Sequence, residues 1–119
     1  MKKTLIIGAS PDSSRYAYKA AHMLTRFNHQ IVNVGIKRGE VAGVAIEQPE
    51  KIHNDIDTIT LYIGPALQAQ YHDYILATKP KRVIFNPGTE NYDLEKLLDA
   101  NGIEPIEACT LVLLSTGQY

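Results

Sequence analysis

Short apolar runs alternate with helical patterns along this 119-residue chain, and glycine or proline stands at most of the changes between them. Thr4–Ala9 reads as a buried strand. In Ser14–Asn28, Ala17, Ala20, Ala21, Leu24 and Phe27 keep the spacing of an amphipathic helix, with Arg15, Lys19, His22 and Arg26 on the opposite stripe. Gln30–Ile36 is a second strand, which Lys37-Arg38-Gly39 ends. Val41–Ile46 is a short third strand at best, and Pro49 opens one helical turn. Ile56–Ile63 is a central strand. Pro65 suits the first position of a helix running to about Lys79, with Leu67, Tyr71, Tyr74, Ile75 and Thr78 facing inward. Arg82–Asn86 is a fifth strand and Asn91–Ala100 a helix closed by Asn101-Gly102. Ile103–Ala108 is a last short strand. Cys109–Tyr119 is ambiguous and leans toward a short helix.

Such alternation builds right-handed βαβ units. The expected architecture is a Rossmann-like, doubly wound α/β fold in one domain over residues 1–119. Its mostly parallel sheet has about five or six strands, with helices on both faces. Strand one is central, and the chain reverses direction after strand three. Ligands of such sheets bind outside the carboxyl ends of the strands at that reversal. The loops there are Gly8–Ser14, Gly35–Gly39, Gly64-Pro65 and Asn86–Thr89. All four contain glycine, and most contain proline as well.

The first of these loops, Gly8-Ala9-Ser10-Pro11-Asp12-Ser13-Ser14, directly follows the apolar run Leu5-Ile6-Ile7. Small residues let backbone approach a ligand, and the N–H groups and positive dipole end of the next helix face it. A phosphate-bearing nucleotide or cofactor is the expected ligand. Only Gly8 of a dinucleotide G-x-G-x-x-G pattern is present. Strand two ends in Gly35-Ile36-Lys37-Arg38-Gly39, not in the acidic residue that an unmodified ribose calls for. Two cations there favour a phosphorylated ribose, which both coenzyme A and NADP carry. One charge-assisted contact is worth roughly 1.5–3 kcal/mol, enough to select it.

Composition excludes other classes. With a formal net charge of −1 and no basic block longer than two residues, a nucleic-acid surface is not expected. A single cysteine forms no internal disulfide and fits a reducing compartment. The opening apolar stretch stops at Gly8, so it reads as a strand and not as a secretory signal, and no stretch is long enough for a membrane. The cytoplasm is the expected location.

The chain resembles the small, stand-alone coenzyme A-binding domains of bacteria and archaea. These share their fold with the N-terminal domain of the succinyl-CoA synthetase alpha subunit. The shared residues are Gly8-Ala9-Ser10 with a following Arg15-Tyr16, Val32-Asn33, Lys37, Gly43, Pro49, Asp57 and Cys109. Two segments depart from the family pattern: Val34 stands where proline usually follows the asparagine, and Asn86-Pro87-Gly88-Thr89 replaces a glycine-led loop. The resemblance implies that Gly8, Ala9, Ser10 and the N–H groups near Ser13 and Ser14 hold a pyrophosphate, with Arg15 adding a cation. It implies that Lys37 and Arg38 meet the ribose phosphate. Tyr62, Ile63 and Pro65 would flank the adenine or pantetheine arm, and Asn86, Pro87 and Gly88 would close the far side.

No catalytic constellation is visible. None of His22, His29, His53 and His72 lies at the carboxyl end of a strand, and each reads as a surface histidine. No metal-ligand spacing occurs. Cys109 follows a strand end and reads as an inert cysteine, with a mixed disulfide to coenzyme A as the reactive reading. The expected function is coenzyme A or acyl-CoA binding without catalysis. The alternatives are an NADP-dependent oxidoreductase or regulator, and an interaction domain that has lost its ligand. The apolar tail Leu111-Val112-Leu113-Leu114 needs cover from this domain or from a second copy, so a homodimer is one expectation, and a separate partner enzyme is another.

Overall fold

The computed structural model describes residues 1–119. The elements are β1 (Thr4–Ile7), α1 (Tyr16–Arg26), β2 (Ile31–Val34), β3 (Glu40–Val41), β4 (Val44–Glu47) and β5 (Thr58–Leu61), followed by α2 (Pro65–Gln68), a 3₁₀ turn (Ala69–Tyr71), α3 (His72–Thr78), β6 (Arg82–Phe85), α4 (Tyr92–Ala100), β7 (Glu104–Glu107) and α5 (Thr110–Ser115). They form a 7-stranded sheet in the order β3-β4-β2-β1-β5-β6-β7. Every neighbouring pair is parallel except β3 with β4. The fold is the expected Rossmann-like α/β one.

Side chains alternate across the sheet because successive strand residues point to opposite faces. Leu5, Ile7, Ile59, Leu61, Val83 and Phe85 pack under α3 and α4 in a cluster of 15 buried residues. Ile6 and Ile31 face α1 and α5 in a cluster of 8. On that thinner face Ala17, Ala20 and Ala21 let α1 lie close to the sheet. At the chain's end Tyr119 sits under the Arg82 guanidinium, 4.5 Å from the ring centroid, with the His29 ring 4.9 Å away.

The structure departs from the sequence-based expectation in three segments. The sheet has seven strands because the expected third strand splits into β3 and β4. Ala42 and Gly43 both take positive φ, 52° and 80°, and make the two-residue turn of a hairpin. The buried Asn33 side chain donates to Val41 O and Val44 O at 3.1 and 3.0 Å and fastens that hairpin to β2. Pro49 lies in a turn with no helix.

The helix expected over Pro65–Lys79 is broken in three. Gln68 is fully buried. Its Nε2 donates to Ile63 O at 2.9 Å and to Thr89 O at 2.7 Å, and its Oε1 accepts from Asn91 Nδ2 at 2.9 Å. A buried amide has to be satisfied, and this one turns α2 so that Gln68, not Leu67, points inward. Leu67 is 52% exposed. The tail does form a short helix. Leu114 is buried against α1, Leu111 and Leu113 are half-buried, and Val112 is exposed.

Candidate functional site

The loops following β1, β2, β5 and β6 enclose a cavity of about 770 Å³ at the carboxyl edge of the sheet. That volume suits a cofactor-sized ligand. Two glycines permit its shape. Gly8 has φ +96°, and a Cβ there would stand 2.9 Å from Ile63 Cγ2 and 3.1 Å from the Tyr62 carbonyl. A Cβ on Gly35 would stand 2.5 Å from Ala9 O, a distance that forces backbone to move. Gly8 and Ala9 both donate their N–H to Val34 O, at 2.9 and 3.0 Å, so the first loop is pinned to the end of β2.

The N-terminus of α1 opens into this cavity. Its first residue follows Arg15, which caps nothing with its side chain, and no acidic residue occupies the first turn. The N–H groups of Tyr16, Ala17 and Tyr18 therefore have no partner within the protein. Those of Ser10 and Ser13 are also free. Such a cluster of donors at a helix start attracts an anion.

Side-chain charge converges on the same point. Asp12 accepts from Ser14 N–H at 2.9 Å and from Ser14 Oγ at 2.7 Å. These two bonds, then the charges of Arg15 and Lys37, hold its carboxyl below the usual carboxylate range. Arg15 Nε lies 3.9 Å from Asp12 Oδ2, and Lys37 has no ion-pair partner. Arg15 and Lys37, from separate loops, thus border one cavity with Ser10.

Of the residues expected at the site, Gly8, Ala9, Ser10, Ser14, Arg15, Lys37, Tyr62 and Pro87 line the cavity. Ser13, Arg38, Pro65, Asn86 and Gly88 do not. Ser13 and Arg38 are exposed beside it, and Pro65 is exposed at the first position of α2. Gly88 takes φ +92° and donates its N–H to Glu90 Oε1 at 2.9 Å. Asn86 is a brace in the interior. Its Nδ2 donates to Thr60 Oγ1 at 2.7 Å and Leu61 O at 2.8 Å, while its Oδ1 accepts from Thr110 N–H at 2.9 Å. It thereby satisfies the first N–H of α5.

Sequence reasoning missed Gln70, Tyr71 and Leu67 as cavity lining, whereas Thr89 belongs to the Asn86–Thr89 loop expected there. Tyr71 and Leu67 had been expected to face inward. Tyr71 does, in the core cluster at 6% exposure, and Leu67 does not, the signal overlooked being the polar Gln68 that interrupts the apolar stripe of that helix. Tyr62 lines the cavity and also packs against the α1–α5 core. Burial pushes its phenol up to about 12. The Thr60 and Thr110 hydroxyls come near it but bond to each other at 2.8 Å, leaving the Tyr62 hydroxyl without a partner.

Cys109 is half-buried at the start of α5 and does not line the cavity. The four histidines, expected on the surface, are all half-buried, and none borders the cavity. His53 Nε2 meets Glu47 at 3.0 Å, and His29 accepts the Lys2 N–H at 2.9 Å. No group of three His, Cys, Asp or Glu residues is placed to hold a metal ion. No helix is long and apolar enough to cross a membrane.

Comparison with known proteins fits this geometry. No curated protein matches the chain. A crystal structure described as that of an uncharacterized protein is 54% identical, superimposes with a TM-score of 0.98, and is matched over 100% of this chain and 98% of its own. A hypothetical protein from Pyrococcus horikoshii OT3 is 24% identical with a TM-score of 0.86, over 97% of this chain and 82% of its own. A Thermus thermophilus structure is 21% identical with a TM-score of 0.84, over 99% and 91%. The last two are like this chain in fold. The family model described as CoA binding domain matches residues 2–115. With that match spanning nearly the whole sequence, the chain belongs to the CoA-binding domain family.

Proposed function

We propose that this chain, acting as one unit, holds coenzyme A or an acyl-CoA in the cavity above β1 and catalyses no reaction of its own. The observation that carries the reading is the convergence of Ser10, Arg15, Lys37 and the uncapped start of α1 on one cavity. The pyrophosphate takes the free N–H groups of Ser10, Ser13 and the first turn of α1, with Arg15 beside it. Lys37, assisted by Arg38 from the rim, takes the ribose 3′-phosphate. Asp12 is the one carboxylate bordering the cavity, and it is bonded to Ser14. A binding role fits that inventory: the other titratable groups at the cavity are Arg15, Lys37 and the phenols of Tyr16, Tyr62 and Tyr71, and no histidine or cysteine borders it. The protein then serves as a cytoplasmic carrier, a sensor or a platform for a separate enzyme.

Calorimetric titration with coenzyme A, 3′-dephospho-coenzyme A, NADPH and NAD tests the reading. Coenzyme A is expected to bind most tightly. A Lys37→Ala, Arg38→Ala double variant should lose about ten- to a hundredfold in affinity for coenzyme A and little for the dephospho form. Equal losses for the two ligands dismiss the ribose-phosphate contact. Binding of NADPH without coenzyme A replaces the reading with a nicotinamide one.

A further inference from the structure

We propose that the end of the cavity beside α2 receives a short, uncharged acyl group carried on the coenzyme A thiol, and that it discriminates against acyl groups ending in a carboxylate. This rests on the reading that the phosphates lie at the β1–β2 end. The cavity is electrically divided. Arg15, Lys37 and Asp12, all its charged lining residues, belong to the loops after β1 and β2. The lining beyond β5 comes from Tyr62, Ile63, Leu67, Tyr71 and Pro87, with Gln70 and Thr89 as neutral polar groups.

The sheet order β2-β1-β5-β6 sets these two ends apart. Three inter-strand steps of about 4.8 Å place the outermost of these loops, after β2 and after β6, about 14 Å from each other. A ligand anchored by phosphates at one end and long enough to cross the sheet edge therefore presents its far terminus to a neutral, largely apolar wall. Leu67 is 52% exposed there, and Ile36 (82%) and Tyr16 (66%) are exposed at the opposite rim of the same cavity. Large apolar side chains held open around one cavity are surface that a ligand can cover.

Tyr71 adds an independent observation. It is only 6% exposed, it lines this end, and its hydroxyl makes no hydrogen bond within the protein. The Gln70 amide is likewise uncommitted. These two can meet the amides of the arm or the carbonyl of a thioester. Neither carries a charge to offset that of a carboxylate, and an anion covered at this end gives up hydration that two neutral donors restore only in part.

The test measures affinities of the full chain for coenzyme A, acetyl-CoA, butyryl-CoA and succinyl-CoA. Each methylene fully covered adds about fourfold, so butyryl-CoA should bind up to about fifteenfold more tightly than acetyl-CoA. Succinyl-CoA should bind at least about tenfold more weakly than butyryl-CoA. Leu67→Arg, at an exposed position that tolerates the change, supplies the missing cation and should invert the butyryl-to-succinyl ratio. The readout is a ratio, so a general loss of affinity does not mimic it. Coenzyme A binding with no difference among the acyl forms overturns this inference and leaves the coenzyme A reading standing. Absence of coenzyme A binding overturns both.

Discussion

Asn86 is where a family-based expectation and the structure assign different work to one residue. As a ligand contact, its loss would weaken coenzyme A binding and leave the fold intact. As a brace, its loss opens the interior. Asn86→Ala removes three buried hydrogen bonds, to Thr60 Oγ1, Leu61 O and Thr110 N–H. Thr60 keeps its bond to Thr110 Oγ1, but Thr110 N–H and Leu61 O lose the partner that Asn86 supplied. Net hydrogen bonds are worth about 1 kcal/mol each, and a stranded buried polar group costs about 1–3 kcal/mol. The expected loss is about 3–5 kcal/mol. For a chain of this length that lowers the Tm by about 10–25 °C. Guanidinium unfolding followed by circular dichroism should show a lower midpoint with an unchanged m value. Coenzyme A titration of the folded protein at low temperature should give an affinity within about threefold of the parent. If stability drops by less than about 1 kcal/mol while affinity falls tenfold, Asn86 faces the ligand and the brace is the wrong description.

Two further outcomes follow from other parts of the molecule. Gly35→Ala drives a Cβ against Ala9 O at 2.5 Å and should cost about 1–3 kcal/mol while displacing the N–H groups of the first loop, so coenzyme A affinity falls by at least about tenfold. Gly64→Ala, which meets nothing within 4 Å, is the control, and equal losses in both variants refute the close-approach argument. His29 is held below its ordinary value of 6.5, first by burial and then by the positive charges of the chain start and Lys2. Below about pH 6.5 the unfolded chain therefore takes up the proton before the folded one, and stability falls as pH drops through that range. Urea unfolding at pH 7.5 and 5.5 should show a smaller difference in His29→Gln, and an unchanged difference removes His29 from the account.

The fold was legible in the sequence because its causes are local. Apolar runs a few residues long, bounded by Gly8, Gly35, Gly64 and Pro87, mark strand ends whatever packs against them. The alanine stripe of α1 shows its buried face in the same way. The small-residue loop after β1 and the cations after β2 were equally local, and the cavity gathers Ser10, Arg15 and Lys37 from them. The split third strand was less legible, since Ala42 takes positive φ only as part of the hairpin that Asn33 fastens.

The far wall was legible only in part, through Tyr62, Ile63 and the loop that supplies Pro87 and Thr89. A glutamine in a helical pattern reads as a solvent-facing residue, yet Gln68 is fully buried because Ile63 O, Thr89 O and Asn91 Nδ2 arrive from three other segments to satisfy it. Asn86 reads as a loop residue beside a ligand, and only the arrival of α5 above Thr60 makes it interior. Local pattern decided where strands and helices run and where the small-residue loop with free backbone N–H groups lies, because backbone geometry and side-chain periodicity act over a few residues. Which polar side chains face a ligand and which face one another depended on partners brought from distant positions, and only the assembled sheet supplied them.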